Sequence, residues 1–255
     1  MSSLDFVDLG AAQASRGVRM VVAGAVPSPW SEAAKGLFRL QGVPVQAVRT
    51  TRDDAALTAW MRSHNVPVVF HGEDPPRTGW AEIVTLAARL GEPGALVPTG
   101  REERVRMMGT LHEVAGEDGL GWSARLLMID ASLTSDGARG FPLPVARYLA
   151  PKYGHTPGCA DGARERAAAT LAALGDRLGG GEYFGPSGPD ALDVYVATFV
   201  TPLCELPPEV CPRLHPALRA AFGAAREALA DRLPATLVAH RQRMLERHLG
   251  LPIAI

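Results

Sequence analysis

The 255-residue chain has few cysteines, almost no net charge and no long apolar run. Its three cysteines are an odd number, are widely spaced and form no CxxC pair, which favours a reducing, cytoplasmic compartment. A formal net charge of −1 argues against a nucleic-acid partner or an acidic membrane surface, because both attract basic proteins. No apolar run approaches the length of a bilayer span, and Met1–Gly17 lacks the basic and apolar blocks of a secretory signal.

Metal-binding patterns are also missing from the sequence. The seven histidines show no ligand spacing with cysteines or acids, so we expect no metal site. Apolar residues make up 47% of the chain and charged residues 21%, which is typical of a globular protein with a real core. The length allows one large domain or two modest ones.

Composition changes near residue 92. Before it, short apolar runs alternate with helical patterns, which predicts parallel strands joined by a crossover helix. After it, the patterns are helical except over 135–158, which has no clear period and no assigned role. The predicted units are an N-terminal extension over 1–17, an α/β domain over 18–91, a linker over 92–100 rich in proline and glycine, and an all-helical domain over 101–255.

The most informative local pattern is the turn at Ser28-Pro29, where an apolar strand over 18–23 runs into a helix over 30–41. Ser28 suits the N-cap and Pro29 the first helical position. A helix N-terminus favours an anion, and a hydroxyl there can hydrogen-bond a thiolate. The residues alone leave two roles open for Ser28, a helix cap or a thiol activator. Ser31, at the next turn, is a second candidate for the latter role.

Two further local patterns are informative. Val66-Pro67 enters a predicted strand over 66–70, where a trans bond is the commoner state of any X-Pro pair. Asp190 and Asp193 have the spacing of a capping box at the start of an apolar helix.

Together these three patterns resemble the glutathione transferase superfamily over about residues 18–249. The resemblance implies a thioredoxin-like N-terminal domain, an all-helical C-terminal domain, glutathione as co-substrate and a homodimer. It also implies that Ser28 is catalytic and that Val66-Pro67 is cis, with the backbone of Val66 facing glutathione. Trp30 is expected near glutathione, although an aromatic at helical spacing is more often a core residue.

One position departs from the family pattern. Gly79 and Trp80 stand where the family has an acid–serine pair that binds the γ-glutamyl end of glutathione. The backbone N–H groups around Thr78, Gly79 and Trp80 could still hold a carboxylate at a helix N-terminus. The missing acid would have to come from Glu82 or from a partner subunit.

The activity that the resemblance implies is addition of the glutathione thiolate to a small apolar electrophile, as in detoxification. A glutathione-dependent isomerase, lyase or peroxidase and a non-catalytic binding homologue are the alternatives. We expect the electrophile between the two domains. The side chains expected to line its pocket are Trp122, Arg125, Phe141 and Tyr148.

Overall fold

The computed structural model describes residues 4–50 and 54–255. Its N-terminal part is a mixed four-stranded sheet in the order β1-β3-β2-β4, in which only β4 runs antiparallel to its neighbour. None of the described helices is long and apolar enough to cross a membrane. The elements of this part are β1 (Leu4–Phe6), α1 (Leu9–Ala14), β2 (Val18–Val22), α2 (Pro29–Leu40), β3 (Val45–Arg49), α3 (Ala55–Met61), β4 (Val68–His71) and α4 (Trp80–Leu90).

The central strand β2 is buried along its whole length because helices cover both faces of the sheet. Met20 on one face packs in the same cluster as Leu37 of α2 and Ile83 of α4. On the other face, Val21 belongs to a smaller cluster with Ala12 of α1 and Leu57 of α3. All residues of β2 except Arg19 are apolar, in keeping with this two-sided burial.

The segment predicted as an extension, residues 1–17, contains two elements that the sequence analysis did not predict. β1 pairs in parallel with β3, with Leu4 opposite Val45. The N-cap of α1 is Asp8, whose Oδ1 accepts the N–H of Ala11 at 2.8 Å. A strand of three residues is too short to show a period, so pattern analysis could not identify it.

The sequence pattern predicts a helix over 53–63, and the structure confirms a helix there with the bounds of α3. Residue 53, its predicted first residue, lies outside the described residues. The N-cap is Asp54, whose side chain accepts the N–H of Leu57 at 2.8 Å.

Beyond residue 100 the described chain forms helices and no strand, which confirms the predicted fold class. The prediction of an irregular segment over 135–158 is wrong, because it contains a helix of ten residues. The prolines of its first turn obscured the pattern, although a helix tolerates proline there. The helices are α5 (Arg101–Ala115), α6 (Leu120–Thr134), α7 (Leu143–Lys152), α8 (Cys159–Leu178), α9 (Ala191–Val200), α10 (Pro216–Leu229) and α11 (Ala235–Met244), followed by a π-helical turn over Leu245–Leu249.

The predicted capping box starts α9, the most buried helix of this part. Asp190 Oδ1 accepts the N–H groups of Leu192 and Asp193, and Asp193 Oδ2 accepts the N–H of Asp190 at 2.9 Å. Every residue of α9 is buried, since the helix packs against α2, α5 and α11. The contact of α9 with α2 joins the helical part to the sheet part next to the Ser28 turn.

Candidate functional site

The strand registers place the predicted site at one end of the sheet. Val68 of β4 lies opposite Val21 of β2, and the two strands are antiparallel. Val66, two residues before Val68, is therefore level with Ala23, the first residue after β2. The chain then returns beside β4, because Arg77 pairs with Val69. This return brings residue 79 level with residue 67. The Ser28 turn, Val66-Pro67 and the start of α4 therefore meet at the same end.

Ser28 occupies the N-cap position of α2, but its hydroxyl makes no capping hydrogen bond. The side chain is mostly buried, and its hydroxyl has no hydrogen-bond partner among the residues that the structure describes. The prediction of a side-chain cap at Ser28 is therefore wrong. Pro29, at the first helical position, needs no acceptor for its nitrogen, and the hydroxyl of Ser28 remains available for another group.

Ser31, the alternate candidate, lies inside the protein. It is fully buried, and its Oγ accepts the backbone N–H of Ala23 at 3.2 Å. This hydrogen bond fastens the end of β2 to the first turn of α2. Since the hydroxyl is already engaged in the fold, the geometry favours Ser28 over Ser31 as the group that meets a ligand.

Trp30 connects the Ser28 turn to the helical part. Its Nε1 donates to the carbonyl of Ala115, the last residue of α5, at 2.9 Å. Its ring meets Phe199 of α9 edge to face, with 4.8 Å between the centroids. A Cβ at Gly121 would lie 2.9 Å from the Trp30 ring, so the start of α6 also packs closely here. These contacts make Trp30 a packing residue between α2, α5 and α9.

The Val66-Pro67 bond is cis, as the family resemblance implied. Outside the helices and strands, no backbone hydrogen bond of the described chain involves Val66. The backbone N–H and C=O of Val66 therefore lie at the end of the sheet and make no backbone hydrogen bond to a described loop or turn.

The start of α4 carries its own acid. Glu82 Oε2 accepts the N–H of Gly79 at 3.0 Å and that of Thr78 at 3.3 Å. Among the N–H groups expected to hold a ligand carboxylate, that of Gly79 is thus occupied by an exposed carboxylate of the same chain, as is the neighbouring N–H of Thr78. Trp80 turns toward the helical part, with its ring 6.4 Å from Tyr195 and 6.3 Å from His112.

The four residues expected to line the electrophile pocket do not form one surface. Trp122 Nε1 donates to the carbonyl of Tyr153 at 3.0 Å. Arg125 is buried with its guanidinium 5.5 Å from the ring of the equally buried Phe141. Tyr148 is 65% exposed on α7. Only Arg125 and Phe141 are brought together.

Residues that the sequence analysis missed complete the sheet end. Thr50 Oγ1 accepts the N–H of Gly24 at 3.2 Å, and a Cβ at Gly24 would lie 2.6 Å from the Thr50 carbonyl. A glycine is therefore required for the turn that leads to Ser28. The isolated glycine directly after an apolar strand was the signal for this close approach.

A second polar group of the first α2 turn faces a different space. Glu32 lines a cavity of about 150 Å³ together with Lys35 and Gly36. Burial raises the pKa of Glu32, and the Lys35 ammonium 2.7 Å away opposes this rise. Glu32 is thereby committed to an ion pair within the fold.

Solved structures share this architecture, although no protein-family model and no curated protein matches the sequence. A glutathione transferase from Pseudomonas putida with one glutathione disulfide bound per subunit has a TM-score of 0.63 and 13% identity, over 97% of this chain and 100% of that one. A glutathione transferase family member from Pseudomonas fluorescens with two glutathione bound has a TM-score of 0.61 and 14% identity, over 92% and 90%. A glutathione S-transferase from Methylobacillus flagellatus with glutathione bound has a TM-score of 0.60 and 10% identity, over 91% and 96%. The chain therefore has the glutathione transferase fold.

Proposed function

We propose that the protein is a glutathione transferase that adds the glutathione thiolate to a small apolar electrophile. The observation that carries the proposal is the unengaged hydroxyl of Ser28 at the N-terminus of a twelve-residue helix. The fold supports it, and so does glutathione in solved structures of that fold, which makes glutathione the proposed co-substrate.

The chemistry assigned to Ser28 is stabilisation of a thiolate. A hydroxyl donates a strong hydrogen bond to an anion, and the first N–H groups of a helix carry partial positive charge. Together they lower the pKa of a thiol held against them, which raises the thiolate fraction at neutral pH. The remaining contribution is to hold the two reactants in reacting geometry.

Other groups at the sheet end are proposed to bind the peptide parts of glutathione. The backbone of Val66 would pair with the backbone of the cysteinyl residue. The N–H groups of Thr78 and Gly79 would receive the γ-glutamyl carboxylate once the Glu82 side chain swings away. Trp30 and Trp80, whose rings pack between the two parts, would form the wall behind these groups.

The electrophile pocket remains a proposal that centres on Arg125 and Phe141. The guanidinium of Arg125 is buried, and it forms no ion pair with a carboxylate of the described residues. Trp122 lies one helical turn before it, and the exposed Tyr148 of α7 is proposed as a further member of this pocket.

A homodimer and a cytoplasmic detoxification role complete the proposal. A groove of about 590 Å³ between α5 and α8 supports the dimer, and Val105 at its rim is 68% exposed. The three free cysteines fit a reducing compartment.

A non-catalytic homologue is the second candidate, because the Glu82 carboxylate occupies the expected carboxylate site. Two measurements on the purified chain separate the candidates: calorimetric titration with glutathione, and glutathione-dependent conjugation of a halonitroarene. We expect saturable binding and turnover above the uncatalysed rate. Binding without turnover would support the second candidate, and absence of both would overturn the proposal.

A further inference from the structure

Three side chains outside the proposed glutathione site come together where α6, α7 and α8 meet. They are Asp130 on α6, His155 in the connection after α7, and Cys159, the first residue of α8. Their ligand atoms all lie within 4.8 Å of one another, and Asp130 Oδ1 is 2.9 Å from His155 Nε2. The expectation that no histidine has ligand spacing is therefore wrong for His155, which precedes Cys159 by four residues.

Contacts within the fold position the residues of this cluster. Trp122, two turns before Asp130 on α6, binds the carbonyl of Tyr153 at 3.0 Å, which fastens the α7–α8 connection to α6. The N–H of His155 donates to the carbonyl of Ala150 at 2.9 Å. Gly158, with φ of +82°, turns the chain so that α8 begins at Cys159. The cluster is thus built by backbone constraints on each of its members.

The donor set identifies the chemistry of a ligand. A thiol, an imidazole and a carboxylate together match Zn²⁺, a borderline-soft ion that takes sulfur, nitrogen and oxygen donors. Ca²⁺ and Mg²⁺ prefer oxygen donors alone. In tetrahedral zinc sites the donor atoms lie roughly 3–4 Å apart, so a separation of at most 4.8 Å needs only small side-chain shifts.

We propose that Asp130, His155 and Cys159 form a binding site for Zn²⁺, with a water molecule as the fourth ligand. The side chains of Asp130 and His155 are 18% and 10% exposed, so the site is shielded yet reachable from solvent. On binding, the Cys159 thiol loses its proton to the buffer and the sulfur forms a bond to the metal. The Nε2 proton that His155 shares with Asp130 moves to Nδ1 as the imidazole changes tautomer, and the hydrogen bond between the two side chains is replaced by one metal bond from each.

The test is a metal titration of the tag-free, full-length chain after treatment with a chelator. Zn²⁺ binding is measured by calorimetry, and Co²⁺ is used as a spectroscopic probe, because a cobalt–thiolate bond gives a charge-transfer band in the near ultraviolet. We expect one equivalent of metal per chain and such a band for the wild type. Cys159→Ala should abolish the band and weaken Zn²⁺ binding at least tenfold.

Two variants complete the design. Cys204→Ala is the matched control, since Cys204 is another partly buried free thiol that is not part of the cluster, and it should bind metal like the wild type. Asp130→Asn, almost isosteric, should weaken Zn²⁺ binding while circular dichroism shows an unchanged fold. No saturable binding by the wild type at micromolar metal, or equal affinity in wild type and Cys159→Ala, would overturn the site.

Discussion

Ser28 carries the proposed chemistry, and its substitution is the most direct test at the scale of the residue. Because its hydroxyl makes no cap hydrogen bond, Ser28→Ala should leave the fold intact and remove only the hydrogen bond to the thiolate. Loss of a hydrogen bond to a charged group costs about 1.5–3 kcal/mol, which lowers turnover roughly 10- to 100-fold. The rate with a halonitroarene should also begin to climb at a higher pH.

Ser31→Ala is the control for this variant. It removes the hydrogen bond to the Ala23 N–H, so it should lower the melting temperature while reducing turnover less than Ser28→Ala does. Equal turnover in wild type and both variants would mean that backbone donors alone stabilise the thiolate.

Glu82 offers a second residue-scale prediction. Its carboxylate competes with a ligand carboxylate for the N–H groups of Thr78 and Gly79. Glu82→Ala should therefore tighten glutathione binding about two- to five-fold, the range expected of an exposed charge. Calorimetric titration measures the change. Weaker binding in the variant would instead show that Glu82 pairs with the ammonium group of glutathione.

Glu82→Gln separates the effect of the negative charge of Glu82 from the effect of its hydrogen bonds to the N–H groups of Thr78 and Gly79. The glutamine carbonyl can keep the two backbone hydrogen bonds of the capping box, so this variant removes only the negative charge. Its affinity for glutathione should fall between those of the wild type and Glu82→Ala.

The sequence could identify residues whose role depends on their immediate neighbours. Ser28 before a proline at a helix start, and proline at a strand entry, are such cases. It could not show that Glu82 folds back onto Gly79, since that depends on a side-chain rotamer. The sequence also could not show that Asp130 lies beside His155 and Cys159, because their proximity depends on the path of the chain over the roughly 25 residues between them.

The capping box of α9 leads to a prediction at the scale of the element. Burial, and then the negative charge of Asp193, raise the pKa of Asp190 to about 7 in the folded protein. The unfolded chain keeps the ordinary value near 3.8, so the folded state holds this proton more tightly. Its stabilising contribution is complete below about pH 4 and is lost as the pH rises through 7.

Asp190→Asn should remove this pH dependence. Its Oδ1 can still accept the N–H groups of Leu192 and Asp193, while the buried charge is gone. The melting temperature of the variant, relative to the wild type, should rise steadily between pH 5 and pH 8. A difference that does not change with pH would contradict the raised pKa.

Asp190→Ala is the matched control for the asparagine variant. It loses the cap hydrogen bonds at every pH, which costs about 1 kcal/mol of unfolding free energy. Unlike the asparagine variant, it should therefore be less stable than the wild type at pH 5, where the wild-type carboxyl is largely protonated.

Helices and strands could be predicted from the sequence where the local residue pattern is clear. The sequence pattern predicts a helix over 216–229, and α10 has these bounds, because proline marks its start and its apolar face is regular. α7 was missed because Pro144 and Pro151 are typical of helix breaks; the first turn of a helix accepts Pro144, and the helix ends one residue after Pro151. β1 depends on pairing with β3, which is a long-range contact that no local pattern records.

At the scale of the whole molecule, contacts around the Ser28 turn help to join the sheet part to the helical part. α2 packs against α9, and Trp30 reaches both Ala115 and Phe199. The first turn that presents Ser28 is therefore fixed by the helical part as well as by β2. These contacts explain why the Ser28 hydroxyl has a defined position although Ser28 lies at the end of a loop.

The proposed dimer is the last prediction at this scale. Val105 on α5 is 68% exposed beside a groove that Arg106, Glu113 and Arg177 also line. Side chains of both charge signs around an apolar centre suit a two-fold interface, in which the same patch meets itself. Sedimentation of the wild type at micromolar concentration should give a dimer, and Val105→Asp should shift it to a monomer because the new carboxylate would face its own copy. Val238→Asp, at an exposed valine on α11, is the matched control and should remain dimeric. A monomeric wild type, or a Val105→Asp variant that still sediments as a dimer, would show that this groove is not the interface.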